Sequence, residues 1–148
     1  MENKSLRNLV LTALFIAIVF LATYIKVPIP VTGGYLNLGD GVIYTVAALF
    51  VWPMAMIAGA FGSSLCDVVS GFSQWALFTF FIKGMMGFVA GYFASKNNPL
   101  SLKNFLGIFF AILILIGGYY LAGAILLGSY IVALKEIPLN ILQSIFAI

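Results

Sequence analysis

The sequence predicts an all-α polytopic membrane protein, a six-transmembrane-helix bundle forming a single domain over residues 1–148. Three observations lead there. Of the 148 residues 64% are hydrophobic and only 7% are charged, against roughly 25% charged in a soluble domain. Uncharged runs extend over Asn8–Ile25, Gly41–Cys66, Val68–Ile82, Gly84–Ser95 and Asn104–Leu134, and several reach the roughly 20 apolar residues that cross a bilayer core. The distribution of Lys and Arg between the ends of these runs then selects six spans over five.

The first helix is expected over about residues 6–26. Lys4 and Arg7 precede an apolar stretch of about 18 residues, longer than the ~7–15 of a cleaved signal's apolar region, so it reads as a retained span. "KVPIP" stops it, because Pro28 and Pro30 favour extended backbone before them. "VPIPVTGGYLNLG" is then a long loop. Gly41–Cys66 as one helix would run about 39 Å at ~1.5 Å per residue, more than a ~30 Å core requires. Pro53 therefore divides it into helices at 38–52 and 53–70, followed by helices at 75–95, 104–126 and 137–148. From Pro138 to Ile148 is only about 16 Å of helix, so the sixth helix is expected either to end midway through the bilayer or to continue beyond Ile148.

Charge bias supports the break at Pro53. With six spans, Lys4, Arg7, Lys96 and Lys103 share one side and Lys26 and Lys135 the other, four against two; a continuous helix gives three against three. Because Lys and Arg collect in the cytoplasm, the N-terminus is expected inside.

Composition also excludes functions. With one cysteine, Cys66, and no histidine, neither an intramolecular disulfide nor a Cys/His zinc site can form, and conventional nucleophile–base pairs are missing. No metal or cofactor is expected, and Cys66 reads as packing. No G-x-x-x-x-G-K-[ST] occurs, so any ATP-driven work belongs to another chain. The net charge of +3 is scattered, without a basic–aromatic patch, which speaks for membrane orientation and against nucleic acid.

The few polar residues inside the spans need a reason, since an ionisable group in hydrocarbon costs about 2.5–3.5 kcal/mol on insertion scales. Lys26 and Lys135 lie near span ends and are expected to reach the headgroups. In "CDVVSGFSQWALFTFFIKGMMG", Asp67 lies about 6 Å and Lys83 about 13 Å below a tight turn, at ~1.5 Å per residue. Their side chains lean toward each other from antiparallel helices. Two readings stay open: an ion pair that joins the helices, or charges offered to a polar solute.

The i, i+4 spacing puts Gly59, Ser63, Asp67 and Ser70 on one face of the third helix and Trp75, Thr79, Lys83 and Gly87 on one face of the fourth. Glu136, Asn140 and Gln143 make a polar stripe on the sixth, Tyr119 and Tyr120 lie in the fifth, and Tyr35 is in the long loop. Such a lining suits a small planar ring with polar substituents; an interfacial aromatic belt is the alternative for the tyrosines and Trp75. Asp40 falls in the first turn of the second helix, where a carboxylate is favoured and Asn37 can cap. It either caps that helix or has a functional role, latching the loop or touching substrate. Gly87-x-x-x-Gly91 and Ala13-x-x-x-Ala17 are small-x-x-x-small patterns that let helices approach closely.

In this order, "GGYLNLGDGVIY", "SLCDVVSGF", "FTFFIKGMMGFVAGY" and "KEIPLNILQ" resemble the substrate-binding S components of energy-coupling-factor (ECF) vitamin importers, in the branch serving riboflavin-, pyridoxine- or hydroxymethylpyrimidine-like compounds. The resemblance covers essentially the whole chain. It implies a multi-pass protein of the bacterial cell membrane, with the long loop lying over an outward-facing vitamin pocket. Substrate-binding residues are then expected among Tyr35, Asn37, Asp40, Asp67, Trp75, Thr79, Lys83, Tyr119, Glu136 and Asn140. It further implies partners, a transmembrane coupling subunit docking on Ala13 and Ala17 and two cytoplasmic ATPases, with delivery by toppling in the membrane. The competing reading is a self-sufficient proton-coupled carrier that titrates Asp67.

Overall fold

The computed structural model describes residues 4–29, 34–98 and 101–148, with the side chains of 28, 29, 34 and 35 also outside the description. Its elements in order are α1 (Lys4–Tyr24), β1 (Lys26–Ile29), β2 (Gly34–Asn37), α2 (Gly39–Leu49), α3 (Trp52–Val69), α4 (Ser73–Phe93), α5 (Leu102–Leu127), the single turn α6 (Tyr130–Ala133) and α7 (Glu136–Phe146). The six expected helices all form, as α1 to α5 and α7. Four of them, α1, α3, α4 and α5, are long and apolar enough to cross a membrane; α2 and α7, at 11 residues each, are shorter.

The loop after α1 departs from expectation. Instead of irregular chain it carries an antiparallel hairpin, with Lys26 opposite Asn37 and Pro28 opposite Tyr35. Proline tolerates this position because a two-stranded ribbon is all edge, where a missing N–H need not break a ladder.

The break at Pro53 is borne out in detail. Phe50 and Val51 are extended, and α3 restarts with Pro53 in its first turn, where its missing N–H is no loss. The α3–α4 turn passes through Gly71 at φ 84°, a left-handed conformation natural to glycine. At the far end of α4, Asn104 folds the loop back: its Oδ1 accepts from the Ser95 amide, and its Nδ2 donates to the carbonyls of Ser95 and Asn98.

The core is built where α1, α2, α4 and α5 meet α3 or one another, around Val19, Ile43, Ala55, Met86 and Leu115. Large apolar side chains such as Leu9, Leu14, Phe81, Phe109, Leu113 and Ile125 point outward, the inverse of a water-soluble surface and the arrangement lipid tails accept. Glycines bring α3 and α4 together. A Cβ on Gly87 would collide with the Ala55 carbonyl and lie 2.8 Å from the Met56 nitrogen, and one on Gly91 would lie 2.7 Å from Trp52 Cα. So Gly87-x-x-x-Gly91 is an internal helix seam. Gly87→Ala is expected to lower stability by about 1–3 kcal/mol, as overpacking does. Gly117→Ala, inside α5 with nothing within 4 Å of its added Cβ, is the control in the same unfolding titration and should leave stability unchanged or raise it by up to about 1 kcal/mol.

Candidate functional site: a polar cavity at the hairpin end of the bundle

The C-terminal ends of α1, α3 and α5, the N-terminal ends of α2, α4 and α7, and the hairpin all lie at one end of the bundle. They enclose a cavity of about 410 Å³. Exposed Phe72 and Lys135 mark its mouth, while Thr23, Ser63, Thr79, Lys83, Asn140 and Gln143 are buried in its lining. Packing alone does not account for such a concentration of polar side chains within an apolar bundle.

Asp67 and Lys83 both line this cavity, as their opposed lean along antiparallel helices requires. They do not pair with each other. Lys83 Nζ instead sits 2.5 Å from Asp40 Oδ1, the two side chains 7% and 1% exposed, and lies over the Tyr119 ring at 5.5 Å. Asp67 Oδ2 accepts from Thr79 Oγ1 at 2.5 Å. Position along α4 explains the exchange. Thr79 comes one turn before Lys83 and meets Asp67 first, while Asp40, in the first turn of α2, is aimed at the ammonium. With its one hydrogen on Asp67, Thr79 accepts from the Tyr119 hydroxyl at 3.0 Å.

Asp40 is therefore more than a helix cap. It is buried beside the cavity and outside its lining, and its second oxygen accepts from Gln143 Nε2 at 3.0 Å. The same Gln143 holds the hairpin: its Oε1 accepts from the Asn37 amide and its Nε2 donates to the Asn37 carbonyl, both at 3.0 Å. Asn37 Oδ1 in turn accepts from the Gly39 amide at 3.0 Å, the capping of α2 anticipated from sequence. One amide side chain thus ties α7, the hairpin and the Lys83–Asp40 pair into a single network.

Of the other anticipated residues, Trp75, Tyr119, Glu136 and Asn140 line the cavity, with the Trp75 and Tyr119 rings 6.1 Å apart. Asn140 is oriented by its own helix, donating to the Glu136 carbonyl at 2.8 Å. The Tyr35 side chain lies outside the described residues. Tyr120 is absent from the lining and packs its ring 6.3 Å from that of Tyr130. Lys135, expected only to reach headgroups, is at the cavity mouth. Lys26 lies over the Phe72 ring at 4.8 Å. Thr23, Phe72, Leu139 and the clamp made by Gln143 were not foreseen; only the spacing of Gln143 from Glu136 hinted at the last. Cys66 is buried beside Ser70, 3.7 Å away. Ala13 and Ala17 are exposed on α1, away from the cavity lining.

Residues 3–148 match the family described as ECF-type riboflavin transporter, S component. The chain belongs to that family. The S component is also similar to the thiamine precursor transporter HmpT of Lactococcus lactis subsp. cremoris, at 33% identity over 98% of this chain and 83% of the relative. A second relative, an uncharacterised protein of Pyrococcus woesei, is 39% identical over 70% of this chain and 69% of its own length. The S component is thus a membrane-embedded subunit of a transporter, with several membrane-crossing helices. Its polar cavity lies within the segment shared with HmpT, whose match spans nearly the whole chain.

Proposed function

We propose that this S component captures a water-soluble vitamin or vitamin precursor, a hydroxymethylpyrimidine- or riboflavin-like heterocycle, from outside the cell. It hands the compound to an ATP-driven ECF module of one transmembrane coupling subunit and two cytoplasmic ATPases. The observation that carries the reading is the cavity of about 410 Å³, within the ~300–1,000 Å³ of small-molecule sites. Its aromatic faces, Trp75 and Tyr119, suit a flat ring, and Asn37, Asp67, Thr79, Lys83, Glu136 and Asn140 surround it with groups that fix polar substituents.

Orientation follows the same line. The cavity end carries Lys26 and Lys135, whereas the opposite end carries Lys4, Arg7, Lys96 and Lys103. That excess supports a cytoplasmic N-terminus and a cavity that opens outward. Ala13 and Ala17, exposed along the middle of α1, are the surface assigned to the coupling subunit. The chain contains no phosphate-cradling loop of its own, which supports placing the ATPase elsewhere.

The test separates capture from transport. Purified protein in detergent should bind hydroxymethylpyrimidine or riboflavin without ATP, and uptake by cells should require co-expressed ECF partners and survive an uncoupler. Asp67→Asn should weaken binding about 10- to 100-fold, the range for hydrogen bonds to a charged group. Solute flux by the purified chain alone in liposomes, or uptake that collapses with the uncoupler while ATPase partners are absent, would replace this reading with that of a proton-coupled carrier.

A further inference from the structure

A second cavity, an open groove of about 440 Å³, lies between α4 and α5 toward the end of the bundle opposite the polar one. Val89 and Phe93 of α4 and Phe110, Leu113 and Ile114 of α5 line it. The Phe93 and Phe110 rings stack at 5.9 Å, while Phe110 and Leu113 remain exposed. Every lining side chain is large and apolar, whereas transmembrane helices approach one another closely on small residues. The lining thus suits a lipid tail better than a partner helix.

Two cations stand at the head of this groove. Successive helical residues turn by about 100°, which places Lys103 within about 20° of Phe110 and Ile114 around the α5 axis. Along that axis it precedes them by roughly 10 and 16 Å. Lys96 follows Phe93 by three residues, just past the end of α4. Asn104 keeps the two segments together: it accepts from the Ser95 amide and donates to the Ser95 and Asn98 carbonyls, fixing the turn that carries Lys96 against the first turn of α5. Both lysines are exposed, and neither has an ion-pair partner among the described residues. Asp40, Asp67 and Glu136 lie at the other end of the bundle, so none of these carboxylates neutralises them.

We propose that the α4–α5 groove binds one anionic phospholipid, with an acyl chain along Phe93, Phe110 and Ile114 and the headgroup on Lys96 and Lys103. The groove supplies the place and little of the preference, because the surrounding tails are as apolar as its lining. Preference comes from the lysines, since basic side chains at a membrane surface attract anionic lipid. The site owes nothing to the vitamin cavity. With the N-terminus cytoplasmic, as proposed above, the lipid belongs to the cytoplasmic leaflet.

The test titrates the full chain, purified and stripped of lipid in detergent, with phosphatidylglycerol and with phosphatidylcholine of the same acyl chains, counting bound lipid by native mass spectrometry. One phosphatidylglycerol should bind about 10- to 30-fold more tightly than phosphatidylcholine, the contribution of two lysines near the surface. Lys96→Gln/Lys103→Gln should lower its affinity to that of phosphatidylcholine. Lys4→Gln/Arg7→Gln, which removes the same formal charge from the start of α1, should keep the preference. Val89→Phe, which fills the groove, should lose binding of both lipids. Leu113→Trp fills it from the exposed edge and keeps the test decisive should Val89→Phe fail to fold. Equal affinity of wild type for the two lipids, a preference that falls as far in Lys4→Gln/Arg7→Gln as in Lys96→Gln/Lys103→Gln, or binding that survives the groove variants would each overturn the proposal. Surviving lipid binding together with lost co-purification of the coupling subunit would assign the groove to a partner helix instead.

Discussion

Asp40→Ala is expected to destabilise the folded protein by about 3–5 kcal/mol, and Lys83→Ala by a comparable amount, because each leaves its partner charged, buried and unpaired. The two side chains are 1% and 7% exposed and meet at 2.5 Å, so water cannot replace the missing member. Asp40→Ala also removes the acceptor of Gln143 Nε2, loosening the network that holds Asn37. The informative companion is the double variant Asp40→Leu/Lys83→Met, which puts apolar groups of similar volume in place of both charges and should recover most of the loss. Reversible unfolding in mixed detergent micelles measures all three, and the departure from additivity gives the coupling energy. Single variants as stable as wild type would show that the pair is not held together in the membrane.

The second large effect concerns transport without binding. Ala13→Leu together with Ala17→Leu should reduce ECF-dependent uptake by at least about tenfold, because two isobutyl groups hold a partner helix off a surface that small residues let it approach. Vitamin affinity of the purified subunit should not change, since both alanines lie on the exposed side of α1 and outside the cavity lining. Co-purification of the coupling subunit should fail in parallel with uptake. Normal uptake by the double variant would remove this face of α1 from the docking surface.

The helices were legible because their signals are local. Uncharged runs, the proline at residue 53 and the polar punctuation around residues 96–103 place all six expected helices to within a few residues. The hairpin was not, since a two-stranded ribbon containing Pro28 has no alternating apolar pattern to announce it. Most of the cavity lining was also readable, because i, i+4 spacing puts Asp67 with Ser63 and Thr79 with Lys83 on shared faces. Pairing within that lining was not. Spacing along α3 and α4 says nothing of how close α2 comes, and it was Asp40, on that third helix, that took the lysine. Lys83 is accordingly as much a part of the fold as of the site, and its replacement should impair folding and binding together.

The seam between α3 and α4 has a mechanical consequence. With Gly59, Gly87 and Gly91 pressed against neighbouring backbone, these helices have no slack to slide and act as a keel. The opposite wall is held differently: α7, β2 and α2 are joined there through one glutamine's three hydrogen bonds, to the Asn37 backbone and to Asp40. Gln143 is thus the one side chain at which strain on α7 is felt at once by β2 and by the first turn of α2.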